Sequence, residues 1–416
     1  MSHPAVSVIV VSRHRPDALA LCLTALGQLL YPLYEIVVVA DPAAIAGLGT
    51  WADRAKLVAF DEPNISAARN LGISHAAGEI LAFIDDDAVA EPAWLSHLTA
   101  PFADPAIMAT GGYVRGRNGI SFQWRGQMVD HLAQITPLPA DKTPVVVTQS
   151  RGRALKTEGT NMAFRRSALT ALGGFDPSLP FYLDETDVNL RLAATGAKAA
   201  LVPLAQVHHG FAPSLRRHAN RVPRSLYDVG ASLAVFLRKH AQISDMDQRL
   251  AAEKAARAGA LAAHRRAGRV THRAVAELMA SLDAGWADGL SRPLAPRVPM
   301  PDHQNDFKSL ERNQKHTRYH VISGSIWRKR ALMAQARRAV AEGHVVSLFL
   351  FSRTALFHHI RYQKEGYWLQ TGGIFGKSQR DDPLFRIWSQ KERLARELSF
   401  VTDSRMFSEQ AFYPDN

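Results

Sequence analysis

Short apolar runs alternate with helix-patterned stretches along the front of the chain. Val6 to Val11, Glu35 to Val39, Lys56 to Phe60 and Ile80 to Ile84 read as strands. Pro16 to Leu30 and Ser66 to Ala77 read as the intervening helices, the second capped by Asn64 or Ser66. The strand-like runs are nearly continuous in apolar residues rather than alternating, as in a mostly parallel sheet covered on both faces. The first of them lacks a basic leader and a small-residue cleavage site, so it is read as a strand and not as a signal. Ligands of such sheets bind beyond the carboxyl ends of the strands. Two of these ends carry aspartates, Asp41 and Asp85.

The texture changes after Gly210. Ser214 to His240 is basic and amphipathic, and Asp245 to Asp283 is rich in Ala, Arg and Glu, which predicts long solvent-flanked helices. Ser291 to Pro301 holds four prolines and reads as a linker or extended arm. Tyr319 to Ser323, the helical Arg328 to Glu342 and Val345 to Phe351 predict one βαβ unit, followed by a hairpin over Ile360 to Phe375. The expected organisation is residues 1–240 as one α/β domain, 241–290 as a helical segment, 291–315 as a linker and 316–416 as a small α/β domain.

Composition narrows the classes. No run reaches the ~20 apolar residues of a membrane-spanning helix. The single cysteine, Cys22, excludes internal disulfides and thiolate metal sites and fits a reducing cytoplasm. The net charge is +12, but residues 1–210 hold 16 Lys and Arg against 19 Asp and Glu, so the front is −3 and the remainder +15. Arg216, Arg217, Arg221 and Arg224 precede the apolar Val229 to Leu237. That segment suits anionic headgroups, an anionic or lipid-linked acceptor or a donor diphosphate, and equally a solvated helix face. Nucleic acid is disfavoured because no reader motif or aromatic interleaving accompanies the charge. A homo-oligomer is compatible with the last domain.

Three groups of residues carry candidate chemistry. Asp85, Asp86 and Asp87 end an apolar strand, where three carboxylates repel unless a cation neutralises them; a hard, oxygen-liganded Mg²⁺ or Mn²⁺ answers this, as does a solvated acidic turn. Asp184, Glu185 and Asp187 open a helix-like stretch, where the dipole alone also favours acids. His208 and His209 follow a strand-like run and suit metal binding or simple packing. Arg69 and Asn70, early in a helix, are placed to receive phosphate oxygens or to form a surface salt bridge. Trp94 and Trp124 suit a sugar site or the core. Thr371 to Ser378 fails as a phosphate-binding loop because Thr371 stands where glycine is required, and is read as a turn.

The ordered series of Asp41, Asn64 with Arg69-Asn70-Leu71-Gly72, the Asp85 triplet, Gly159-Thr160-Asn161, Gly173-Gly174-Phe175-Asp176, the acids at 184–187 and the His pair resembles the family 2 glycosyltransferases of GT-A fold over about residues 5–240. The resemblance implies a GT-A α/β domain, followed here by a helical segment and a small α/β domain. It implies a nucleotide-diphosphate sugar donor contacted by Asp41, Asn64, Arg69, Asn70, Asp85 and Asp86. It also implies Mn²⁺ or Mg²⁺ on Asp87 with His208, or alternatively His209, and a base drawn from Glu185, Asp184 or Asp187. The implied reaction is inverting transfer to a hydroxyl acceptor in cell-surface polysaccharide or glycolipid assembly, in the cytoplasm or at the inner membrane face. A catalytically silent scaffold and a metal-dependent nucleotidyltransferase are the competing classes.

Overall fold

The computed structural model describes residues 3–210, 218, 220–294, 296–301, 305–310, 319–406 and 412–413. The front comprises Val6–Ser12 (β1), Pro16–Leu26 (α1), Tyr34–Ala40 (β2), Pro42–Ala46 (α2), Lys56–Ala59 (β3), Ile65–His75 (α3) and Ile80–Asp85 (β4). Next come Ala88–Ala90 (β5), Trp94–Thr99 (α4), Ile107–Arg115 (β6), Phe122–Trp124 (β7), Gln127–Asp130 (β8), Ile135–Pro137 (β9), Val145–Thr148 (β10), Arg153–Leu155 (β11) and Met162–Arg165 (β12). Arg166–Ala171 (α5), Asp184–Ala193 (α6) and Lys198–His209 (β13) complete this part.

The main sheet runs β10-β13-β6-β12-β4-β1-β2-β3. Its β4-β1-β2-β3 portion is parallel, and β12 is antiparallel to both of its neighbours. Both faces are buried, which is why the strands read as continuous apolar runs. Val8, Val10, Ile36, Val38 and Ile84 pack with Leu19 and Leu23 of α1 and with Trp94. Ile9, Val37, Val39 and Phe83 pack with Ala68 and Ile73 of α3 and with Phe164 and Phe175. Each such side chain contributes roughly 1.5–3 kcal/mol. Register pairs Val11 with both Val39 and Asp85, so the ends of β1, β2 and β4 lie side by side. Ser12, Asp41 and the Asp85 triplet therefore share one edge.

Three helices follow: Tyr227–His240 (α7), Ile243–Arg266 (α8) and His272–Ser291 (α9). Gly230 and Gly285 let α7 and α9 meet backbone to backbone; a Cβ on either would collide with a carbonyl of the other helix. The run Val229–Leu237 is buried in this packing. It is a core helix, so of the membrane contact expected over 214–240 the apolar run Val229–Leu237 is turned inward; Ser214, Arg216 and Arg217 lie outside the described residues. Described residues of the expected linker or extended arm lie along the front domain. The Met300 amide donates to the Thr170 carbonyl at 2.9 Å, the Lys308 amide to Glu35 at 2.8 Å and the Leu310 amide to the Tyr34 carbonyl at 2.9 Å. This arm straps the front sheet before leaving for the last sheet.

That sheet is built from Tyr319–Ser325 (β14), Lys329–Ala341 (α10), Val345–Ser352 (β15), His359–Tyr362 (β16), Tyr367–Gly373 (β17), Gln390–Arg405 (α11) and Phe412–Tyr413 (β18), in the order β16-β17-β15-β14-β18. The βαβ unit and the hairpin are both present; the hairpin turns at 363–366, and the Thr371–Gly373 segment is strand rather than turn. Alpha helix α10 covers one face through Leu332 and Ala336. The other face packs Phe349, Trp368, Leu398 and Val401 against Ala25, Val89 and Ile120 of the front. Helix α1 is shorter than expected, ending at Leu26 with Gly27 as its cap.

Candidate active site

The acidic triplet turns out of β4 and splits its three carboxylates by environment. Asp86 is buried, accepts from the Ser12 hydroxyl at 2.7 Å and pairs with Arg15. Burial raises its carboxyl to about 7, against the pull of Arg15. Asp87 stands 3.3 Å from the Arg15 guanidinium and 3.2 Å from Nε2 of His209. Asp85 lies 3.5 Å from Arg69, and burial raises its carboxyl above the usual range. One ligand atom each from Asp85, Asp87 and His209 falls within a 4.8 Å span.

Strand geometry decides between the two histidines. Successive side chains of β13 point to opposite faces. His209 faces the acids, with Nδ1 3.2 Å from the Gln123 side chain and Trp124 tilted beside its ring at 5.7 Å. His208 faces the last sheet, with Nε2 2.7 Å from Glu91 and its ring 4.6 Å from that of Trp368. Burial lowers its pKa. The expectation that placed His208 first as ligand thus gives way to His209, its stated alternative, as the residue brought to Asp85 and Asp87.

A second acidic group is held by two cations. Leu183 adopts a left-handed backbone (φ 64°) and opens α6, after which Asp184 is buried against Arg69. Desolvation pushes the Asp184 carboxyl well above its usual range, more than Arg69 pulls it down. Glu185 lies 3.6 Å from Lys156, which also binds Glu158 at 2.7 Å. Burial raises the Glu158 carboxyl, and Asp85 adds to that rise. Arg69 therefore joins Asp85 to Asp184, and the space for its guanidinium exists because residue 159 is glycine; a Cβ there would collide with it. Sequence reading did not single out Arg15, Lys156 or Glu158. An arginine at a helix start and a Lys-x-Glu just before Gly159-Thr160-Asn161 were the available signals.

The other expected site residues make contacts within the fold. Asp187 is buried between Arg191, Lys239 and His240, which depress its carboxyl despite burial, and it ties α6 to α7. Asn64 caps α3 and donates to the Pro177 carbonyl at 2.8 Å. Asn70 brackets Phe175, donating to its carbonyl and accepting from its amide, both at 2.8 Å. Both asparagines are thereby engaged with the 173–179 loop. Trp94 is core, donating to Asn161 at 2.8 Å. Asp41 caps α2 and accepts from the His14 amide at 2.7 Å; these backbone donors outweigh burial and lower its carboxyl.

Residues 7–173 match the model of glycosyl transferase family 2. Over these residues the chain is similar to the family 2 glycosyltransferases. The O-antigen biosynthesis protein RfbC of Myxococcus xanthus is 29% identical over 239 residues, 54% of this chain and 18% of its own. The pre-mycofactocin glycosyltransferase of Mycobacterium tuberculosis is 25% identical over 224 residues, 52% and 44% respectively. The chain spans less than half the length of these relatives. Among solved structures, a mannosyltransferase from Pyrobaculum calidifontis in complex with GDP-Man and Mn²⁺ aligns with a TM-score of 0.42 at 20% identity, covering 70% of this chain and 88% of that one. GalNAc-T7 with UDP, GalNAc and Mn²⁺ aligns at 0.43 and 18%, covering 56% and 48%. The family match ends before α6 and β13, so Glu185 and His209 lie beyond it.

Proposed function

We propose that this chain transfers a sugar from a nucleotide-diphosphate sugar to an acceptor hydroxyl by a single inverting displacement. The observation that carries this reading is the convergence of Asp85, Asp87 and His209 at the carboxyl edge of the parallel sheet. Two carboxylates and an imidazole suit a hard divalent ion such as Mn²⁺ or Mg²⁺. Such an ion would supply charge compensation for the diphosphate leaving group. Arg15 and Arg69 add fixed positive charge at the same edge. Asp41, beyond β2, is the group that meets the base.

Glu185 is the better base of the two neighbouring acids. Asp184 is committed to Arg69 in a buried pair, whereas Glu185 keeps a looser 3.6 Å contact with Lys156. Glu185 would take the proton of the acceptor hydroxyl as the oxygen attacks the anomeric carbon. One base and one displacement give inversion, whereas glycoside hydrolysis needs two carboxylates flanking the bond. The RfbC relative, named for O-antigen biosynthesis, supports a place in polysaccharide assembly. Among the described residues no helix is long and apolar enough to cross a membrane.

The test is a panel of UDP-, GDP- and dTDP-sugars screened for Mn²⁺-dependent thermal stabilisation, followed by transfer assays with the donor that binds. The expected result is stabilisation by one base class, lost in Asp87→Ala and His209→Ala, and an inverted anomeric product. No stabilisation by any donor, or stabilisation that ignores both substitutions, overturns the reading.

A further inference from the structure

The carboxyl edge of the last sheet is built differently from the front. Strands β14, β15 and β17 are parallel, and register pairs Ser325 with Phe351 and Ser352 with Gly373, so all three end at one level. The segments leaving them expose Trp327, Leu356, Phe357, Leu384, Phe385 and Ile387 to solvent, Trp327 at 92% and Ile387 at 79%. Six large apolar side chains on one edge are more than the scattered exposure normal for a surface. These segments are not loose. The Gly373 amide donates to the Leu356 carbonyl at 2.9 Å, the Phe375 amide to Thr354 at 3.1 Å and the Arg386 amide to Phe375 at 3.1 Å. Glycines at 372, 373 and 376 permit this, since a Cβ at each would collide with the 354–358 loop. The backbone is fastened while Leu356 and Phe357 stay outside.

Charge accompanies the apolar surface. Residues 326–330, 353–359 and 374–388 hold seven lysines and arginines against two aspartates, and one of these, Asp382, is already paired with Arg396. Lys377 lies 5.4 Å over the Phe357 ring and Arg386 4.1 Å over Trp388, so cations and rings interleave. Between the strand ends lies a groove of about 750 Å³, lined by Ile326, Lys329, Leu356, Phe357 and His359. The edge adjoins the front domain: the Ile360 amide donates to the Asn118 carbonyl at 2.9 Å, in the turn that leads to Gln123 and Trp124 beside His209.

We propose that this edge docks the protein on an anionic lipid bilayer, with Trp327, Leu356, Phe357, Phe385 and Ile387 entering the headgroup layer and Lys329, Arg330, Arg353 and Lys377 meeting lipid phosphates. Apolar insertion and basic attraction are each weak alone and hold a protein at a membrane when combined. An exposed tryptophan at the tip fits the interfacial preference of that ring. The docked face sets the β6–β7 turn, and through it the Asp87–His209 region, close to the bilayer.

The test is flotation of the full chain with vesicles of phosphatidylcholine alone and of phosphatidylcholine mixed with phosphatidylglycerol, with Trp327→Ser/Phe385→Ser/Ile387→Ser and Lys329→Glu/Arg330→Glu as the variants. Binding is expected on the anionic vesicles only, weakened at least about tenfold by each variant, with melting temperatures unchanged. Single Trp327→Ser and Ile387→Ser proteins replace the triple variant if it fails to fold. Absence of binding to anionic vesicles, or binding that the apolar substitutions leave intact, overturns the proposal. So does a dimer in sedimentation velocity that these substitutions disperse, because a second copy would then be the occupant.

Discussion

The two sheets present the same edge, the carboxyl ends of parallel strands, and load it with opposite chemistry. The acids gathered at the front edge are buried or half-buried, each held by a specific cation: Asp86 by Arg15, Asp184 by Arg69, Glu158 by Lys156. At the rear edge the segments leaving the strands are apolar and basic, exposed, and fastened largely through backbone. A buried charged edge is suited to small ligands of defined geometry, because low dielectric strengthens each contact and penalises every unpaired group. An exposed apolar edge is suited to an extended partner without fixed geometry. The teaching is that this topology offers a place for a ligand, and burial decides what kind.

The sharpest way to break the comparison is Glu185→Gln. It should lower transfer by about 10²–10⁴-fold while donor-dependent stabilisation persists, read by initial rates and by thermal shift. Unchanged transfer would leave the front edge without its base. Next in size is the joint between the two regions, where Glu91 accepts from Arg405 at 2.7 and 3.0 Å and sits 2.7 Å from His208, all buried. Glu91→Ala should cost about 3–5 kcal/mol in chemical denaturation, since it strands the Arg405 charge. A Glu91→Met/Arg405→Met pair should recover most of that loss.

Acid should expose that joint and the α6–α7 tie with a smaller effect. The Glu91 and Asp187 carboxylates are depressed in the folded state because Arg405, and the Arg191, Lys239 and His240 group, more than offset their burial. Groups with lowered folded pKa contribute stability that is complete above the unfolded value, near 4, and is lost as pH falls toward the folded one. The melting temperature should therefore be insensitive to these two groups above about pH 5 and decline below. Glu91→Gln and Asp187→Asn should each flatten that decline; an unchanged slope would mean the pairs do not form. The smallest expected effect is Trp327→Ser, within about 0.5 kcal/mol of the parent in denaturation because the ring is exposed. A large loss would show that the rear edge is covered rather than open.

Much of the front was legible because strand buried on both faces leaves a continuous apolar run, and β1, β2 and β4 begin or end within a residue or two of their expected places. The acidic triplet and Asp41 stood at strand ends in sequence and stand together in space. Asn64 was read as a cap and is one. Asn64 and Asn70 also bind the 173–179 loop, more than a hundred residues away in sequence, which no local pattern announces. Asp187 read like its neighbours Asp184 and Glu185, yet one further turn of α6 points it at α7. The alternatives for 214–240, a headgroup contact among them, stood open in sequence because an amphipathic pattern does not state what covers its apolar side; for residues 229–237, α9 is part of that cover.

By itself the sequence determined the alternation of strands and helices, the acid-bearing edge and the split of charge at residue 210, all of which follow from local periodicity and composition. Only the tertiary structure decided which acids gather with His209 at the sheet edge and which brace helices, because that depends on partners contributed from distant elements. It also separated His209 from His208. Adjacent strand residues point to opposite faces, and the two faces differ only because the last sheet docks against one of them.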